Sequence, residues 1–302
     1  MFVRQSPTLF DILFHLRGSV VPRVARRLAF MLAVSVAAVW LVPHYPEPFR
    51  QLGAIPFTLI GLALSIFMNF RNTACYDRWW EGRKLWGQML IDTRSFARQI
   101  AHLPPETRAP LLRGLIGFAH GLGARLREGP EAAAIAPWMP PPAANDTLPH
   151  SPNPTDAALR AVGLRCTALA QGGAINAIQH SVLERQLTSL SGVQAGCERI
   201  KATPLPFAYS LLLHRTAHIF CLLLPFALAQ PLGWWTPLPV LVVSYTFFGL
   251  DTLGDELEDP FGTDANDLPL DAMIRTVERE MLAAAGESAL PPTLSPSRDI
   301  LT

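Results

Sequence analysis

The stretch IPFTLIGLALSIFMNF, residues 55–70, carries no charge and runs without a turn signal into RNTACYDRWWEGRKLWGQ, residues 71–88. The first half suits hydrocarbon and the second suits water, so the chain leaves an apolar medium near Arg71. A helix through it sets Ile55, Leu59, Leu62, Ile66 and Phe70 on one stripe, because steps of three and four residues return to one face. An ordinary membrane helix with a basic cytoplasmic flank accounts for the same composition. In such a helix every face is apolar and the periodicity carries no meaning.

Half of the 302 residues are hydrophobic and only 16% are charged, against about a quarter in a typical soluble domain. The chain reads as a membrane protein with sizeable wet parts. Net charge is +1 and no run of Lys and Arg forms a patch, which excludes nucleic acid as a partner. Cys75, Cys166, Cys197 and Cys221 are scattered without a CxxC pair, so free thiols are expected rather than disulfides or a zinc site. Asp11, His15 and Arg17 precede the first long apolar run, which argues against a cleaved signal peptide.

Four spans are expected, at about 24–43, 52–72, 205–229 and 236–252. Arg17, Arg23, Arg26 and Arg27 before the first, and Arg71, Arg78, Arg83 and Lys84 after the second, place both flanks inside and both termini in the cytoplasm. The first span is expected to stop at the prolines beginning with Pro43, which no helix should cross. Residues 73–203 form a wet helical part. It comprises the continuation of the second span, a helix from about Pro110 to Arg127, and helices after Thr155, read as an N-cap and broken at Gly172 and Gly173. Residues 136–154 are a proline-dominated loop, and 253–302 an acidic tail.

Phe70, Arg71 and Asn72, followed by Tyr76 to Glu81 and by Leu85, Trp86 and Gly87, resemble the second transmembrane helix of bestrophins and its cytosolic continuation. Asp255 to Asp264 with Asn266 to Pro269 resemble the acidic segment after the last span in the prokaryotic branch of that family. The resemblance is nearly full-length and implies an all-α integral membrane protein. It would form a single unit over residues 1–302, in the plasma (inner) membrane, assembled as a homopentamer around one axial pore. It implies rings of Leu62, Ile66 and Phe70 at a hydrophobic neck, and Leu205 at a second, cytosolic constriction. It also implies a calcium clasp, with backbone oxygens of Glu256 and Asp259 and the side chains of Asp264 and Asp267. Thr263, Ala265 and Asn266 interrupt the continuous acidic run expected of a calcium-activated member, so a merely solvated acidic segment is the alternative.

The expected activity is conduction of small monovalent ions. Chloride follows from the family, and cations stay open because hydrophobic rings carry no sign. A non-conducting scaffold that binds partners through its wet helices is the rival class. An enzyme is not expected: His214 and His218 have zincin spacing, but Arg215 stands where that motif needs its glutamate. Arg215 itself either snorkels to the cytoplasm or pairs with Asp251.

Overall fold

The computed structural model describes residue 1 and residues 18–49, 53–139, 151–297 and 299–301. The N-terminal segment with Asp11, His15 and Arg17 and the centre of the proline-rich loop lie outside the described residues.

The chain forms two compact units, one of Arg4–Trp79 with Pro204–Asp259 and one of Met1–Val3, Trp80–Thr203 and Pro260–Thr302. In the first, the spanning unit, α1 (Val21–His44) leads to the short α2 (Pro46–Phe49) and then to α3 (Ala54–Gln99). Helices α8 (Phe207–Leu232) and α9 (Pro237–Glu258) complete it. All four long helices carry a stretch apolar and long enough to cross a membrane. Helix α1 packs on α8 and α9, around Val24, Met31, Leu213, Ala217, Phe220, Phe247 and Phe248. Phe220 and Phe247 meet edge to face with centroids 5.4 Å apart, the arrangement that aligns a ring's positive edge with its neighbour's negative face.

Pro43 falls within the last turn of α1 rather than ending it. A proline forfeits only its own N–H bond to the preceding turn, and a helix with one residue left to run can absorb that loss. Pro225 and Pro231 lie inside α8. Trp234 and Trp235, between α8 and α9, are exposed.

The second unit contains the rest of α3, then α4 (Pro105–Leu126), α5 (Glu131–Ile135), α6 (Pro154–Gln171), α7 (Ala177–Ala202) and α10 (Leu270–Ala285). Helix α4 starts earlier than expected, with Pro105 in its first turn and Pro110 inside. Helix α6 is capped by Asn153, whose Oδ1 accepts the N–H of Asp156, and not by Thr155. Thr155 is buried and donates its hydroxyl to Glu131 Oε2 at 2.7 Å. The break at Gly172 and Gly173 stands where expected, with Gly173 at φ +73°, a conformation that favours glycine. The acidic tail is more than a tail. It includes α10, which buries Leu270, Met273, Ile274, Val277, Met281 and Leu282 and packs on α4.

All four cysteines are free and buried. Burial pushes the Cys166 and Cys197 thiols up to about 12, which keeps them protonated and unreactive near neutral pH.

Candidate functional site

Helix α3 has one packed face within the spanning unit. Phe57, Leu64, Met68, Arg71 and Cys75, spaced by three, four or seven residues, are buried. Gly61 belongs to this face, since a Cβ there would lie 3.2 Å from the Phe220 ring, so its absence lets α3 approach α8. Tyr209 of α8 donates its hydroxyl to the Phe67 carbonyl at 3.1 Å. The expected stripe points away from this face: Leu62 is 60%, Ile66 48% and Phe70 59% exposed, with Ile55 and Leu59 exposed above them. Phe67, next to the stripe residue Ile66, is also 51% exposed. The buried arc of α3 is therefore narrow, and between Leu62 and Phe70 only Leu64 and Met68 are buried.

One residue after Phe70 the chemistry changes abruptly. Arg71 is 1% exposed and Asp251 is wholly buried. Arg71 Nη1 donates to the Asp251 carbonyl at 3.3 Å and to Asp251 Oδ1 at 3.2 Å. Its Nη2 donates to Asp255 Oδ1 and lies 3.7 Å from Glu258 Oε2. The second oxygen of Asp251 accepts from His214 Nδ1 at 2.7 Å, with Arg27 Nη1 3.7 Å away. His214 Nε2 lies 3.8 Å from Asp255 Oδ1. Arg23 pairs with Glu256 at 2.8 Å. Arg78 donates to the Glu258 carbonyl at 3.0 Å, and Glu258 Oε1 accepts the Leu205 N–H at 2.9 Å.

Local structure explains why these groups need one another. Acids in the last turns of α9 and arginines in the first turns of α1 each stand at the wrong end of their helix dipole. Pairing the two sets offsets both costs. The same geometry corrects the expected partner of Arg215. Asp251 is held by Arg71, His214 and Arg27, whereas Arg215 is exposed on α8. The two imidazoles do not converge either. His218 Nδ1 faces the His214 carbonyl at 2.7 Å and its ring lies against Phe248.

Among the described residues, His214, Asp251 and Asp255 bring ligand-type atoms within 4.8 Å of one another. The Arg71 guanidinium already holds both carboxylates with its own positive charge, so the cluster is an ion-pair network rather than a metal centre.

The residues of the expected calcium clasp are divided between the units. Glu256 is buried against Arg23, and Asp259 is exposed at the end of α9. Asp264 and Asp267 belong to the second unit, in a turn closed by the Leu268 N–H on the Pro260 carbonyl at 2.9 Å. There the buried Asp267 accepts the Asp264 N–H on Oδ2 at 2.7 Å. Leu205 is half-buried in the segment preceding α8.

Residue-by-residue reading of the sequence missed the Arg71–Asp251 pair. The signal was present, because each charge directly abuts an apolar run, and an ionisable group at such a position needs a partner.

Comparison with known proteins converges on one family. The family described as Bacterial/Fungal Bestrophin protein matches residues 1–283. A voltage-dependent anion channel-forming protein of Mesorhizobium japonicum is 42% identical over 300 residues, covering 98% of this chain and 96% of that protein. The voltage-dependent anion channel-forming protein YneE of Escherichia coli K12 is 38% identical, covering 99% and 98%. The crystal structure of a bacterial bestrophin homolog from Klebsiella pneumoniae aligns with TM-score 0.84 at 36% identity, over 88% of this chain and all of that one. This chain, with its four membrane-length helices, is a member of the bacterial bestrophins, a family of ion channels and not of enzymes.

Proposed function

We propose that the chain forms an anion channel whose neck is built from the exposed stripe of α3. The observation that carries this reading is the exposure of Leu62, Ile66 and Phe70 on one face of a membrane-length helix. A single copy cannot enclose a pore with one stripe. Five copies around an axis would turn each position into an apolar ring, which gates by dewetting rather than by charge. Leu205 would form a second constriction. The anion assignment rests on the names of the relatives, because the stripe has no charge of its own. Four spans with arginine-rich flanks support insertion in the inner membrane with both termini cytoplasmic.

Purified protein in liposomes, under imposed chloride and sodium gradients, tests the reading. Protein-dependent chloride flux, with a reversal potential near that of chloride, is the expected outcome. A sodium-like reversal potential overturns the anion assignment, and no flux overturns the channel in favour of a scaffold. Mass measurement in detergent should give a pentamer, and a monomer as the sole species contradicts the axial pore.

Calcium is proposed only for the turn of Asp264 and Asp267. Carboxylate and backbone oxygens are the hard donors that calcium takes. The turn's negative charge is partly balanced already, since Arg127 donates to the Phe261 carbonyl and the Met1 ammonium feels the charge of Asp267. A weak site is therefore expected, with a dissociation constant of about 0.1–1 mM. Calcium at tenfold that value should add about 1.4 kcal/mol to stability, read as a rise in melting temperature. Asp264→Asn with Asp267→Asn should abolish the rise, and an unchanged wild-type transition would remove calcium from the picture.

A further inference from the structure

We propose that His214 is a proton-responsive positioning residue for the pore: it acts through Asp251 on Arg71, the residue that follows the last ring of the neck. The proposal rests on the channel reading above. Histidine is the side chain whose ordinary titration falls between pH 5 and 8, and His214 shares its two carboxylate neighbours with Arg71. Asp251 divides its oxygens, Oδ1 and the carbonyl holding Arg71 and Oδ2 holding His214. A proton on His214 turns the 2.7 Å contact into a hydrogen bond between two opposite charges. That bond fixes the orientation of Asp251 and, through it, the seat of Arg71 below Phe70.

The charges around this link favour a response to a single proton. On α1 stand Arg23 and Arg27, with Arg26 exposed; α3 contributes Arg71 and Arg78; α9 contributes Asp251, Asp255, Glu256 and Glu258. Helix α8 adds His218, turned toward the His214 carbonyl and Phe248, the exposed Arg215, and Tyr209 on the Phe67 carbonyl. Arg23, Arg27, Arg71 and Arg78 equal the four carboxylates in number, although the Arg78 Nε bond goes to the Glu258 carbonyl and not to its carboxylate, so this set is formally neutral while His214 is neutral and gains one positive charge when it is protonated. Five such charges next to a narrow apolar neck would raise the local anion concentration. Anion flux should therefore be larger at pH 5.5 than at pH 7.5.

The test pairs liposome flux with amide hydrogen-exchange protection over residues 66–78 of the assembled protein, corrected for the intrinsic pH dependence of exchange, each measured at both pH values. Wild type should show a severalfold rise in chloride flux on acidification and a parallel change in exchange. His214→Asn can keep the hydrogen bond to Asp251 without titrating, and should flatten both. His214→Gln serves if the first variant fails to assemble, and the exchange of wild type needs no variant. Equal pH responses in wild type and both variants, or a wild type insensitive to pH, overturn the proposal. Absent flux with a His214-dependent exchange response would overturn conduction and leave the positioning role standing.

Discussion

Replacing Leu62, Ile66 and Phe70 together by alanine raises ion flux. In the proposed pore these side chains point away from the packed face of α3, and their exposure of 48–60% in a single copy means that little packing inside the subunit is lost. What changes is the radius and the wetting of the neck. A hydrophobic constriction holds ions back because a narrow apolar tube expels the water that an ion must carry. Three alanine rings would widen the tube and lower that barrier, so current or open probability should rise by an order of magnitude or more. The measurement is chloride flux per assembled channel in liposomes.

Leu64 and Met68 give the contrasting result. Both are buried in the core that includes Phe220 and Leu213, and alanine at either leaves a cavity. Lipid is as apolar as a protein interior, so little transfer energy is involved. The lost contacts remain, a cost smaller than the roughly 2–5 kcal/mol of a large-to-alanine change in a water-soluble core, where the transfer term adds to it. Reduced assembly without a gain in flux is expected. Equal effects at stripe and packed positions, or unchanged flux in a correctly assembled triple variant, would sink the neck assignment. Phe67 is unsuitable as a packing control, because it too is half exposed.

The contrast shows what the sequence could disclose. Four apolar runs and their basic flanks mark spans wherever composition changes, and composition survives without any knowledge of partners. Periodicity gave the stripe, because Ile55 to Phe70 repeats at helical steps. It could not say which side of α3 packs, since Leu64 and Phe67 are equally apolar and only the neighbouring helices distinguish them. The helix Leu270–Ala285 was hidden in the same way, its buried positions diluted by acidic neighbours in a segment read for charge. Ion pairs were the least legible. Arg71 and Asp251 are 180 residues apart, and spacing along a chain carries no information about a contact between two helices. Arg215 attracted attention because it interrupts an apolar run. Arg71 merely ends one, and it is Arg71 that the fold buries.

Removing that arginine should therefore do more damage than removing any other charge in the chain. Arg71→Ala leaves Asp251, wholly buried, with His214 and the more distant Arg27 as its remaining partners. Stripping one member from a buried pair costs about 3–5 kcal/mol, because the other charge stays desolvated. For a protein of ordinary marginal stability, about 5–15 kcal/mol, that is a large fraction of the total. Arg71→Lys should recover only part of it, since a lysine cannot fork between Asp251 and Asp255 as the guanidinium does. The informative variant is the double change Arg71→Met with Asp251→Leu, in which both charges give way to apolar groups of similar bulk. Asp255 and Glu258 would then turn to water, to which each already has access. Buried pairs replaced as a unit are often neutral or stabilising, so the double variant should assemble where Arg71→Ala does not. Detergent size-exclusion profiles and thermal melts of the three variants beside wild type decide the matter. Arg71→Ala as stable as wild type would mean that the pair contributes nothing to holding α3 against α9. A double variant as damaged as the single would mean that specific hydrogen bonds, and not uncompensated charge, are what this junction requires.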